Sequence, residues 1–256
     1  MRVLVTGAAS GLGAALAQAF LDRGDEVLLC DLAKTFDAQH YRRLDVTSDA
    51  DWQAAQNWVA STWGGLDVLV NNAGIATGGR IDVADMDEWH RAVEVNLLGV
   101  VRGCRTFVPM MKEQQQSGTI VNIASLAGLV HPPAMASYTA TKAAVVALSE
   151  TLHHELHSWG IKVAVVCPGF FRTNLAASVA SADPVTAALT MSLIGRSEIT
   201  ADDIAQAVLE GLDAGEHIIL PDPESRLTVE AKRNHHEVYE QQQFEFAANI
   251  RSRTEE

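Results

Sequence analysis

Tyr138 and Lys142 stand four residues apart in the run Ser137-Tyr138-Thr139-Ala140-Thr141-Lys142. On a helix that spacing puts both side chains on one face, one turn apart. A free phenol titrates near 10 and is a poor base at neutral pH. An ammonium one turn away favours the phenolate and is expected to lower that value. The pair then suits proton exchange with an alcohol or carbonyl oxygen. Tyr-x-x-x-Lys alone is common by chance, so its meaning depends on what surrounds it. Ser125 ends the run Thr119–Ser125. A hydroxyl at the carboxyl end of a buried strand lies where open α/β sheets bind ligands. From there it could hydrogen-bond the reacting oxygen and hold it against Tyr138.

A second constellation opens the chain: Thr6-Gly7-Ala8-Ala9-Ser10-Gly11-Leu12-Gly13, directly after the apolar run Val3–Val5. Gly7 permits a tight turn out of a strand, Gly11 lets backbone approach a pyrophosphate, and Gly13 lets a helix pack close to the sheet. The helix N-terminus then presents its positive dipole end to phosphates. Asp31 follows 18 residues after Gly13, at the end of the second apolar run. An acidic residue at about that distance binds the adenosine ribose hydroxyls of NAD, and its charge repels the 2′-phosphate of NADP. Ser10, Leu32 and Ala33 are neutral, and Lys34 is the one nearby cation. NAD is therefore the expected cofactor. Its oxidised nicotinamide is positive and would favour the Tyr138 phenolate as Lys142 does.

These groups need a scaffold that brings strand ends together. Strand candidates are Val3–Val5, Val27–Leu29, Arg43–Asp45, Val68–Asn71, Ile120–Ile123, Val163–Cys167 and Ile218–Leu220. Most are unbroken Val/Ile/Leu runs, the pattern of parallel strands buried on both faces. Helical patterns lie between them: Leu12 to Phe20 with Gly24 as a stop, Trp52–Trp63, a long Asp87–Met111, Ser137–Trp159, and one opened by the polar cap Thr200–Asp203. The alternation predicts one α/β domain, doubly wound and Rossmann-type, with a seven-stranded mostly parallel sheet covered by helices on both faces. That domain spans 1–222, with a substrate lid at about 175–198. The Ala/Ser-rich stretch there is long for a connection. Residues 223–256 read as a polar helical tail, either solvated or an oligomer contact.

Composition is ordinary for a soluble globular protein. A chain of 256 residues can bury a substantial core. The net charge of -13 argues against nucleic-acid binding, because a phosphate backbone repels an acidic surface. No apolar run approaches the roughly 20 residues that cross a membrane, so no membrane partner is expected. Cys30, Cys104 and Cys167 are isolated, which suits reduced thiols. The first strand begins so close to Met1 that no signal peptide is expected, and a cytoplasmic location follows.

Taken together, these motifs resemble the short-chain dehydrogenase/reductase family in its shorter, single-domain branch. The resemblance runs from Arg2 to about Asp222, in the expected order and spacing. It rests on the Thr6–Gly13 turn, Asp31, Asp45-Val46, Asn71-Asn72-Ala73-Gly74, Asn96, Ser125, Tyr138, Lys142, and Pro168-Gly169 with Thr173. It implies that Asp45 and Val46 meet the adenine, and that Asn72, Ala73 and Gly74 pack against the adenosine half. Asn96 would hold a water that relays protons from Lys142, which also bonds the nicotinamide ribose. Pro168, Gly169 and Thr173 would flank the nicotinamide. Ser10 and Leu12 belong to the cofactor turn. The resemblance further implies a homo-oligomer, a homotetramer or alternatively a homodimer. Two departures stand out: a short stretch from Asp31 to Asp45, and the polar tail, which the family pattern does not explain.

The expected reaction is hydride transfer between NAD(H) and an alcohol or carbonyl, with Tyr138 as acid/base. His131, Met135, Phe170 and Phe171 are candidate pocket residues, and their mostly apolar character favours an apolar secondary alcohol or ketone. The principal alternative is a catalytically silent NAD(H)-binding or sensing protein on the same fold. An epimerase or dehydratase would use the same Tyr–Lys pair, but those relatives carry a separate sugar-nucleotide domain. His153 and His157 share a helix face without the spacing of a zinc motif, and no metal is expected.

Overall fold

The computed structural model describes residues 1–34, 37–114, 118–172 and 183–254. Strands β1 (Arg2–Thr6), β2 (Glu26–Asp31), β3 (Tyr41–Arg43), β4 (Val68–Asn71), β5 (Thr119–Ile123), β6 (Lys162–Val166) and β7 (Ile218–Ile219) form one sheet. Their order is β3-β2-β1-β4-β5-β6-β7, and every neighbouring pair is parallel. Val5 sits opposite Leu29 on one side and Val70 on the other, so β1 is central and its side chains are covered on both faces. The order reverses between β1 and β4. That switch point opens a crevice at the carboxyl ends of the strands, where open sheets bind ligands.

Helices cover both faces. On one side α1 (Gly11–Asp22) and α8 (Ala201–Ala214) pack over a core that includes Leu16, Phe20, Ile204 and Val208. On the other, α2 (Asp49–Trp63), α4 (Gly99–Glu113) and α6 (Ala136–Leu156) bury Trp52, Phe107, Val145 and Leu156. The Trp52 indole meets the Phe107 ring edge-on and donates to the Val46 carbonyl, so this large buried ring has its polar atom satisfied. Local signals set the helix starts. Ser48 accepts from the Asp51 amide at the start of α2, and Thr200 with Asp203 forms a reciprocal capping box for α8.

Most boundaries shift by one to three residues, and two elements differ in kind from the sequence expectation. The third strand is Tyr41–Arg43, not Arg43–Asp45. Asp45 instead folds into a turn in which its own carboxylate accepts from the Thr47 amide and hydroxyl, at 2.9 and 2.7 Å. The long third helix is α3 (Met86–Ala92) followed by a π-helical turn, Val93–Leu98, and then α4. A π turn shifts the period locally and often marks a functional site; Asn96 lies within it. Beyond β5 the short α5 (Ala127–Val130) leads to α6, which tightens into a 3₁₀ turn at His157–Trp159.

Within the predicted lid, residues 183–198 carry α7 (Pro184–Arg196), while Thr173 and 175–182 lie outside the described residues. After β7 the chain forms α9 (Pro223–Asn234) and α10 (His236–Thr254). No helix among the described residues is long and apolar enough to cross a membrane. All three cysteines are buried free thiols.

Candidate active site

The turn after β1 is built from backbone that side chains would block. Gly7 and Gly11 have φ of 65° and 55°, the left-handed region that favours glycine. A Cβ on Gly13 would lie 2.1 Å from the Gly7 carbonyl oxygen, so only glycine lets α1 start this close to the sheet. Asn72 locks the turn: its amide donates to the Thr6 carbonyl at 2.8 Å, and the Thr6 hydroxyl accepts from the Asn72 and Ala73 amides at 3.0 Å each. Ser10 occupies the N-cap of α1 without bonding any helix amide. The first amides of that helix therefore lack a side-chain acceptor and face the crevice.

Along the crevice wall, the Asp31 carboxylate accepts from the Ala9 amide at 2.9 Å and the Leu32 amide at 2.7 Å, which fixes it at the end of β2. The bonds from Thr47 hold the Asp45 carboxyl below the usual carboxylate range. A cavity of about 320 Å³ runs past Gly7, Ser10, Gly11, Leu12, Gly13, Asp31, Asp45, Val46, Asn72, Ala73 and Gly74 to Tyr138, Lys142 and Pro168. Residues far apart in sequence are thus gathered into one groove.

Tyr138 and Lys142 occupy the first two turns of α6, on one face as their spacing requires. The Lys142 ammonium donates to the Ile123 carbonyl at 2.8 Å and lies 5.7 Å from the Tyr138 ring centroid. Burial lowers the Lys142 pKa to about 8. Burial also raises the Tyr138 phenol above its ordinary value, with the Ser125 hydroxyl bonding to it and pulling the other way. This reverses the expectation that Lys142 lowers the phenol in the protein alone. Desolvation opposes the phenolate more strongly than the protein's own groups favour it. Ser125 stands just beyond β5, where its hydroxyl accepts from the Ala127 amide at 3.2 Å.

The Asn96 side chain is fully buried and each of its polar atoms has a partner. Its oxygen accepts from the Ile75 amide at 2.8 Å and its nitrogen donates to the Ile75 carbonyl at 3.0 Å. Gly74 keeps the space between Asn96 and Lys142 open: a Cβ there would lie 3.2 Å from the Asn96 oxygen and 3.6 Å from the Lys142 nitrogen. The Asn96 amide thus fixes the Ile75 backbone beside Gly74.

A second cavity, of about 330 Å³, meets the first at Tyr138, Pro168 and Phe171. Ser125, Met135, Gly169 and Phe170 also line it, together with Thr186, Leu193 and Ile194 around α7. His131 does not. Its ring lies at the exposed end of α5 with Nδ1 2.8 Å from the Lys232 ammonium.

Several participants carry no obvious sequence mark. The Ser137 hydroxyl lies 2.9 Å from the buried Glu88 carboxylate and 3.0 Å from the Thr77 hydroxyl, which braces the helix turn that carries Tyr138. Asp222 accepts from the Gly169 amide, and Tyr239, Gln243 and Phe246 of α10 line the second cavity. Asp222 had a local signal, an Asp directly before Pro and three residues ahead of Ser225. His153 stacks on His217 with ring centroids 3.9 Å apart. Among the described residues no three metal-ligating side chains cluster.

Known proteins resemble this chain in sequence and fold. The short chain dehydrogenase family model matches residues 1–184. The chain is 41% identical over 181 residues to a 3-alpha-(or 20-beta)-hydroxysteroid dehydrogenase of Mycobacterium tuberculosis, covering 67% of this chain and 69% of that one. It is 36% identical over 233 residues to the 2-(R)-hydroxypropyl-CoM dehydrogenase of Xanthobacter autotrophicus, covering 82% and 91%. A short chain dehydrogenase/reductase of Burkholderia phymatum, solved with NAD, superposes with a TM-score of 0.85 at 30% identity, over 93% of this chain and 94% of that one. Matched by the family model over residues 1–184 and by relatives in both sequence and topology, this chain belongs to the short-chain dehydrogenase/reductase family of oxidoreductases.

Proposed function

We propose that the protein oxidises an apolar secondary alcohol, or reduces the matching ketone, using NAD(H), with Tyr138 as acid/base. The observation that carries this reading is the meeting of the two cavities at Tyr138. One has the glycine turn and acidic strand end suited to a dinucleotide; the other is lined mainly by apolar side chains, as small-molecule pockets usually are.

The groove fits NAD. The uncapped amides of α1 suit a pyrophosphate. Asp31 is held where it would accept from ribose hydroxyls and repel a 2′-phosphate. Nearby cations are turned away from that position: Arg43 pairs with Asp51, Arg42 lies over the Trp58 ring, and Lys34 does not line the groove. When bound, the nicotinamide would accept or donate hydride. The protein supplies position and proton transfer. Ser125 bonds the substrate oxygen and aligns it with the phenol. Tyr138 takes the alcohol proton in oxidation and returns it in reduction. Lys142 holds its ammonium one turn behind and keeps the site electropositive. Asn96 and Lys142 together position a water through which that proton leaves.

The hydroxysteroid and hydroxypropyl specificities of the relatives favour secondary alcohols as a class. The retained Tyr138, Lys142 and Ser125 set argues against a silent cofactor sensor. A homo-oligomer acting in the cytoplasm on a small-molecule substrate completes the reading. The test is a panel of secondary alcohols and ketones with NAD(H) and NADP(H), read at the NADH absorbance. The reading predicts turnover with NAD(H) well above that with NADP(H). Equal use of both would remove the role given to Asp31, and binding of NADH without turnover of any member would favour the sensor.

A further inference from the structure

Helix α10 carries Tyr239, Gln243, Phe246 and Ile250, spaced four, three and four residues apart, which places them on one helix face. That face is turned inward. Tyr239 and Ile250 are buried, and the Tyr239 hydroxyl donates to the Val130 carbonyl at the end of α5. Between these anchors Gln243 and Phe246 line the cavity that contains Tyr138. Helix α9 is fixed as well, through Asp222 to Gly169 and through the Lys232 ammonium to the Leu129 carbonyl at 2.6 Å. The C-terminal helices are therefore bolted to the segments that carry Ser125 and Gly169.

Two chemical facts define what this wall would accept. The Gln243 amide makes no hydrogen bond with any described residue, although it faces a mainly apolar cavity. An amide in that position gains most from a ligand oxygen it can donate to or accept from. Among the described residues, Glu224 is the single charged side chain lining the cavity. Arg172 donates to the Glu198 carbonyl, and Lys232 is engaged at Leu129 and His131. Away from Tyr138 and Lys142, a carboxylate on the substrate would meet a carboxylate and no cation among the described residues that line this cavity.

We infer that α10 is the specificity wall of the substrate pocket. Phe246 limits substrate size, and Gln243 hydrogen-bonds a second, uncharged oxygen on the substrate. The pocket thereby selects apolar secondary alcohols that carry such an oxygen over those that carry a carboxylate. This rests on the dehydrogenase reading above and narrows its substrate class.

The test uses the full chain and three alicyclic secondary alcohols that share one ring and differ in the remote substituent: methyl, hydroxymethyl or carboxylate. Two quantities are read, kcat/KM with NAD⁺ and the affinity of the NADH-bound protein for each compound by thermal shift. The hydroxymethyl compound is expected to exceed the carboxylate by about tenfold or more in both. Gln243→Leu should cut the hydroxymethyl-to-methyl ratio about tenfold, and Gln243→Ala should repeat that loss with a different side chain. Glu224→Gln should narrow the gap to the carboxylate compound. Phe246→Ala should shift preference toward larger rings. A hydroxymethyl-to-methyl ratio unchanged in both Gln243 variants, or a carboxylate compound that binds as well as the hydroxymethyl one, would overturn the inference. Selective binding without turnover of any alcohol would instead overturn the dehydrogenase reading and leave the pocket assignment standing.

Discussion

The Gly169 amide donates to the buried Asp222 carboxylate at 3.0 Å, joining the loop after β6 to the first turn of α9. The same carboxylate accepts from the Ser225 amide at 2.7 Å and the Ser225 hydroxyl at 2.6 Å. One side chain thus caps a C-terminal helix and fixes backbone that lines the catalytic pocket.

Asp222→Ala removes the acceptor for three buried donors. It should destabilise the protein by on the order of 3 kcal/mol, and Asp222→Asn, which keeps one acceptor oxygen, by roughly 1 kcal/mol. Urea unfolding measures both. Because Gly169 faces the pocket, KM for the alcohol should rise with Asp222→Ala. A loss below about 0.5 kcal/mol would show that the clamp adds little.

Lys142 gives a pH signature. Burial lowers its pKa from 10.5 to about 8. Between those values the unfolded chain still holds the proton and the folded chain does not, so stability from this group rises with pH. Below about 8 both states are protonated and the full cost of the buried charge is present, on the order of 3 kcal/mol. Lys142→Met has no such cost. Its stability relative to the natural protein should be most favourable near pH 7 and decline by about that amount toward pH 10.5. Denaturant midpoints at several pH values follow this difference, and one that stays constant with pH would contradict it.

Gly13→Ala places a Cβ 2.1 Å from the Gly7 oxygen and 2.5 Å from the Asn72 amide nitrogen. The turn must open, which should cost at least about 3 kcal/mol and abolish NADH binding measured by fluorescence. Gly195→Ala, where nothing lies within 4 Å, is the control and should be neutral or stabilising by up to about 1 kcal/mol.

Much of this architecture is legible in the sequence. Unbroken runs such as Val3–Val5 and Val68–Asn71 carry the pattern of strands covered on both faces, and the Gly7-to-Gly13 turn needed both a strand and a helix beside it. Tyr138, Lys142 and Ser125 were legible because helical spacing and strand ends dictate where side chains point. What was not legible depended on partners. The inward stripe of α10 is diluted by Glu240, Gln241, Gln242 and Glu245, so the helix reads as polar until the pocket it covers is known. The π turn at Val93–Leu98 leaves no mark in a repeating pattern. Asp45 sits in a run that resembles a strand end, yet its short carboxylate bonds its own turn more readily than a sheet. The Tyr138 phenol lies above its ordinary value, against expectation, because spacing shows the neighbouring charge and not the desolvation around it.

The most direct test of the account is Tyr138→Phe, assayed for alcohol oxidation and for NADH binding in the same preparation. Loss of the phenol removes the proton acceptor and leaves the ring. Turnover should fall by about a thousandfold or more while NADH affinity stays within about threefold. Turnover close to that of the natural protein would contradict the assignment of Tyr138 as the acid/base.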